Sequence, residues 1–294
     1  FEKKPPKGGF FFLNLLDNTQ FLFLEGECMG SELVKLRRRK DAKETLKQIE
    51  RKRENYFLIH YSCESFYDIQ DGRTPRITSI AIRNFYSGQT HSFSIHKTAE
   101  QKNISFEKIS DAYDKLEKGM LGEYFEYLAL NKGSYYLHWN MRDINYGFQA
   151  IEHRFKVLGG KPYLIDDDRK IDLARLLISL YTVRYTSHGE NGRLHSICEL
   201  NRITGKDMLN GKEEAAAFID KDFIKLHRST LRKVDVMSNI LERILDGSIK
   251  TQANWIAKNG VHPIVLVELV KEHWLIASII GCISFAGTMK TLFF

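Results

Sequence analysis

The hydrophobic pattern changes period twice along the chain. Residues 56–63 read Tyr-Phe-Leu-Ile-His-Tyr-Ser-Cys, and two more β-rich runs, "ITSIAIRNF" at 77–85 and "THSFSIH" at 90–96, follow the turn clusters Asp71-Gly72-Arg73-Thr74-Pro75 and Ser87-Gly88. Short β-branched and aromatic runs punctuated this way predict three strands in a meander. Next, Phe106, Ile109, Tyr113, Leu116, Met120, Tyr124 and Leu128 recur every three or four residues, predicting a helix over 105–131. A fourth strand is expected at "SYYLHWN", 134–140, after the Lys132-Gly133 turn. It leads into a helix with Phe148, Ile151, Phe155 and Leu158 on one face and a stop at Gly159-Gly160. Residues 171–181 and 213–245 supply further helices, the second carrying Val234, Met237, Leu241 and Ile244. Three strands, helix, strand, helix and then mostly helices predict an α/β domain, a mixed sheet flanked by helices, over 56–250.

Both flanks differ from this core. Residues 35–53 carry ten Lys or Arg against three acids, with Leu36, Ala42, Leu46 and Ile49 as sparse apolar positions. That pattern predicts a basic helical leader, either simply solvated or in contact with nucleic acid or lipid headgroups. Residues 1–28 are rich in Phe and Leu but broken by polar residues, weak as a signal or a span, so 1–55 is read as an N-terminal extension and leader. Within 251–294, Trp274 to Met289 contains no charge, and Lys290 separates it from a final "TLFF". A bilayer span needs about 20 mostly apolar residues, so a C-terminal transmembrane helix is expected, with a buried terminal helix as its alternative. The basic leader and Lys271 would then place the main domain on the cytoplasmic side of that membrane.

Composition narrows the picture modestly. Of 294 residues, 43% are hydrophobic and 28% charged, ample for a folded core, and the net charge of +7 permits a polyanionic partner without requiring one. Cys28, Cys63, Cys198 and Cys282 show no paired spacing, which argues against a zinc site or a disulfide framework and makes a reducing setting the default.

The candidate chemistry lies in three acidic positions. Ser62 and Glu64, at i and i+2 on a strand, aim at one spot, Asp143 follows the fourth strand, and Asp235 sits in the late helix. Metal-assisted phosphodiester hydrolysis needs carboxylates that converge. Singly, Glu64 could be a strand-end surface residue, Asp143 a helix N-terminal acid and Asp235 a solvated helix residue.

In their order, "HYSCES", "RITSIAIRN", "HWNMRD" and "RKVDVM" resemble the motifs of the DEDD-type 3′–5′ exonucleases of the ribonuclease H-like fold, over about residues 56–246. The resemblance implies a ribonuclease H-like mixed sheet, single-stranded DNA or RNA as partner, and Mg²⁺ or Mn²⁺ held by Glu64, Asp143 and Asp235. Ser62, His138, Asn140 and Tyr146 would contact the nucleic acid. Ser62 stands where the family has its first Asp, and Leu231 and Thr230 stand where its two branches have Tyr and His. His227 is then the catalytic imidazole left on that helix. These departures imply a membrane-anchored, exonuclease-like protein with reduced or lost hydrolysis. The alternatives are a non-catalytic nucleic-acid or nucleotide sensor, or a membrane-tethered interaction protein, an architecture that would suit a bacterial defence effector. Asp166, Asp167, Asp168 and Asp172, and likewise His188 and His195, are weaker candidates that suit solvated loops. Cys63 alternates with Ser62 and Glu64 and is expected in the core.

Overall fold

The computed structural model describes residues 32–64, 74–255 and 278. The chain divides into two compact units, residues 1–42 with 254–294, and residues 43–253. The anticipated membrane helix lies outside the described residues, apart from Ser278, and no described helix is long and apolar enough to cross a membrane.

The basic leader forms helix α1, Glu32–Arg51. Strands β1 (Tyr56–Cys63), β2 (Ile77–Asn84) and β3 (Thr90–Ser94) follow, joined in antiparallel register with Ser62 opposite Ser79 and Ser79 opposite Ser94. Helices α2 (Ile95–Gln101) and α3 (Tyr113–Leu130) lead to β4 (Tyr135–His138), which pairs parallel with β1. Helix α4 (Phe148–Val157) then precedes β5 (Lys170–Asp172), parallel to β4. The remaining helices are α5 (Leu173–Tyr181), α6 (Arg193–Leu200), α7 (Gly211–Ile219) and α8 (Phe223–Leu245). The sheet order is β3-β2-β1-β4-β5. Central β1 is buried at all eight positions, as a strand covered on both faces must be.

Alternation decides what each face meets. Phe57, Ile59, Tyr61 and Cys63 of β1, with Ile80 and Ile82 of β2, pack against Met120, Leu121, Tyr124, Phe125 and Leu128 of α3 and Ile151 and Phe155 of α4. The intervening positions of β1 and β2 face α8, which packs across both strands. A smaller core joins Ile95 and Ala99 of α2 and Tyr113 and Leu116 of α3 to Ala217 of α7 and Phe223 and Leu226 of α8.

One buried ion cluster fixes the α3–α4 side. The Glu117 carboxylate, fully buried, accepts the Ile77 amide proton at 2.7 Å and the Arg154 guanidinium at 2.6–3.1 Å, and Arg154 also reaches Asp114 at 2.7 Å. Burial pushes the Glu117 carboxyl up, and the guanidinium and the amide hold it down. Removing one partner of a buried pair strands the other charge. Glu117→Leu is therefore expected to lower stability by about 3 kcal/mol. Asp114→Asn, whose side chain is 66% exposed, should cost much less. Urea-unfolding midpoints at unchanged slope check both.

Candidate functional site

Strand β1 delivers His60 and Ser62 to the face that α8 covers, because residues two apart on a strand share a side. The register confirms the direction. Ser62 lies opposite Ser79, and the Ser79 hydroxyl meets the Thr230 hydroxyl of α8 at 2.7 Å. One turn further along α8, the Lys233 ammonium donates to Glu214 of α7 at 2.8 Å, and Ser229 donates to the same Oε1 at 3.2 Å. Glu214 is 0% and Lys233 6% exposed. Helix α7 is held in place by its own N-terminus, where Asn210 and Glu213 exchange side-chain-to-backbone hydrogen bonds in a capping box.

The histidines here are neutral. Burial drives the His60 imidazole well below its ordinary value, and the nearby Lys233 and His138 lower it further. Among the described residues, neither ring nitrogen of His60 has a hydrogen-bond partner, and neither does the Ser62 hydroxyl. His138, at the end of β4, accepts the Met141 amide proton on Nδ1 at 3.1 Å, which leaves its own proton on Nε2. Burial brings it down to about 4 although Asp172 opposes the shift. Asp172, at the end of β5, pairs with Arg142 at 2.6 Å and caps α5 through the Ala174 and Arg175 amides.

The three carboxylates expected to share a metal are each held by a different partner. Glu64 leaves the end of β1, where its carboxylate accepts the Arg76 amide proton at 3.4 Å. Asp143 is exposed in the loop before α4 and folds onto the Asn145 amide at 2.8 Å. Asp235 pairs with Arg232 and lies 3.8 Å from Arg83, near the far end of β2. Arg76 and Arg83, the partners of Glu64 and Asp235, are seven residues apart along an extended chain, about 23 Å between their Cα atoms. Among the described residues, no three His, Cys, Asp or Glu side chains form a group that could hold a metal ion.

The other expected residues are distributed as follows. His227 lies against His96, ring centroids 5.1 Å apart, and is lowered to about 3 by burial and by Lys97 and His96. Asn140 is exposed, adopts φ 56°, and accepts from Arg142 at 3.1 Å. Tyr146 stacks on Tyr61 at 4.7 Å and lies 6.4 Å, ring to ring, from His60. Thus Ser62, His138 and Tyr146 lie towards the ends of β1 and β4, Glu64 follows the end of β1, Asp235 sits beside Arg83, and His227 sits against His96. Sequence reasoning passed over His60, Glu214 and Lys233. The two-residue alternation that selected Ser62 selects His60 equally. The α7–α8 pairing, by contrast, had no sequence signal. The chain matches no family model, no curated protein and no solved structure.

These neutral imidazoles set a pH dependence. The folded values of His138 and His227 lie below the ordinary 6.5, so the unfolded chain takes up protons that the folded chain refuses. Their contribution is complete above pH 6.5 and is lost as pH falls towards about 4 for His138 and about 3 for His227. For His138 alone the expected loss between pH 6.5 and 5 is about 2 kcal/mol. Urea midpoints across that interval should fall, and His138→Gln should flatten the slope.

Proposed function

We propose that residues 43–253 form a ribonuclease H-like domain that binds single-stranded nucleic acid without hydrolysing it. The element order and the central position of β1 support the fold reading, since three antiparallel strands are followed by helix, parallel strand, helix and parallel strand. One observation carries the loss of hydrolysis. The α8-facing side of β1, where the family resemblance seats its metal, presents a histidine and a serine to a buried ammonium. The Glu214 carboxylate on that face is already taken by the Lys233 ammonium, and the neutral imidazole and hydroxyls beside it supply no further charge to hold a divalent ion. Binding is supported by the outer face of α1, where Lys40, Lys43, Lys47 and Arg51 recur at steps of three and four and are exposed. Such a row suits a phosphate backbone. The apolar segment from Trp274 onward tethers the domain to a membrane in this reading.

Two measurements test it. With end-labelled DNA and RNA single strands, the full chain should bind in the presence of EDTA, lose affinity as salt rises, and leave strand length unchanged in Mg²⁺ or Mn²⁺. Metal-dependent shortening that Glu64→Gln with Asp143→Asn abolishes would instead restore the exonuclease. For the tether, the full chain should sediment with membranes and a chain ending before Trp274 should stay in the supernatant.

A further inference from the structure

We propose that Lys233 and Ser229 form a binding site for a phosphate group, and that Glu214 of α7 fills this site as an internal stand-in. The proposal deepens the binding reading and rests on it. It names the group held and the element that must move.

Helix α7 has few fully buried side chains, and Phe218 packs half-buried against Tyr113 and Phe223. Its buried residues are Glu214 and Ala217, and Ile219 is 77% exposed. A fully buried carboxylate is a costly way to seat a nine-residue helix, because its desolvation offsets most of what the ion pair returns. The carboxylate is also an incomplete match for its surroundings. Oε1 takes both Lys233 and Ser229, while Oε2 has no hydrogen-bond partner among the described residues. On the strand beneath, the Ser62 hydroxyl and both His60 nitrogens are buried and unpartnered as well. An unmatched buried polar group costs about 1–3 kcal/mol, so a ligand that matched such groups would recover part of that cost.

A phosphate supplies what the carboxylate lacks. One oxygen would take the ammonium and the Ser229 hydroxyl as Oε1 does. The others, arranged tetrahedrally, would be free to accept from neighbouring donors such as His60, whose imidazole feels the Lys233 charge. Moving Glu214 out leaves Lys233 unneutralised, so the opened site carries net positive charge. Closure by α7 therefore lowers apparent affinity by the fraction of time the site is open.

The test uses the full chain with inorganic phosphate as probe, against chloride at equal ionic strength. Glu214→Gln should melt below the unaltered chain in chloride and recover much of that loss in phosphate. It should bind phosphate about tenfold more tightly by calorimetry, as expected when a closed state is removed. Glu214→Gln with Lys233→Met should respond to neither salt. Equal melting of the single variant in both salts would make the pair purely structural and overturn the proposal. If that variant does not fold, hydrogen exchange of the unaltered chain decides. Phosphate should speed exchange at residues 212–219 selectively, and no change there would overturn the proposal. A mononucleotide should displace a bound oligonucleotide from Glu214→Gln if the phosphate held is that of the nucleic acid. Phosphate binding without such displacement overturns that link. Oligonucleotide binding without any phosphate response removes this proposal alone and leaves the binding reading standing.

Discussion

The Glu117 carboxylate is the constraint on which the sheet's packing depends. It accepts the first amide of β2 and both forks of the Arg154 guanidinium, so one buried group fixes a strand start, α3 and α4 together. With α4 so placed, the loop that precedes it must return tightly to β1. Gly147 lets this loop close on itself, since a Cβ there would lie 2.7 Å from the Met141 carbonyl. Its amide donates to the Tyr61 hydroxyl at 3.0 Å, and Tyr146 is thereby laid flat on the Tyr61 ring. The position of Tyr146 beside His60 is thus inherited from an ion pair on the other side of the sheet.

The two faces of β1 solve burial differently. Towards α3 and α4 it presents Phe57, Ile59, Tyr61 and Cys63, a packing problem answered by aliphatic and aromatic volume. Towards α8 it presents His60 and Ser62, and there the protein keeps imidazoles uncharged and pairs the buried Lys233 ammonium with a carboxylate from a neighbouring helix. Polar groups placed in a low-dielectric layer rigidify it only when they are satisfied. Here they are satisfied in part, which distinguishes this layer from the apolar one opposite.

Much of the fold was legible because its periods are clean. The meander, the long helix of 113–130, the strand at 135–138 and the helix from Phe148 all stand close to where the apolar spacing put them. The differences have local causes. The third strand stops at Ser94, and the chain turns helical at once, so Ile95 enters the small core from a helix. The three-residue β5 is too short to show an alternation, and it hides within a run read as helix and acidic loop. The single helix expected over 213–245 is broken at Asp220–Asp222, where Lys221 takes φ 61° and Asp222 begins a new cap on the Lys225 amide. The site was less legible for a geometric reason. Helix α8 has 23 residues, about 34 Å of rise, and apolar spacing fixes which side faces the sheet but not which turn sits over the strand end. Thr230 and Lys233 occupy that turn, and Asp235 falls beside Arg83 instead.

The sheet order also carries a message about assembly in time. Strands β1, β2 and β3 are sequential neighbours and can pair through short loop closures, whereas β4 must return to β1 from 79 residues downstream, in the pairing of Tyr56 with Tyr135. Helix α8 arrives later still, and its Glu242 meets Arg53 across 189 residues. Non-local pairings are slow because closure entropy is spent before their contacts form. The layer containing His60 and Lys233 is therefore closed by contacts of long sequence separation. Substitutions within it should act chiefly on the rate of unfolding and leave the early meander to form at its own pace.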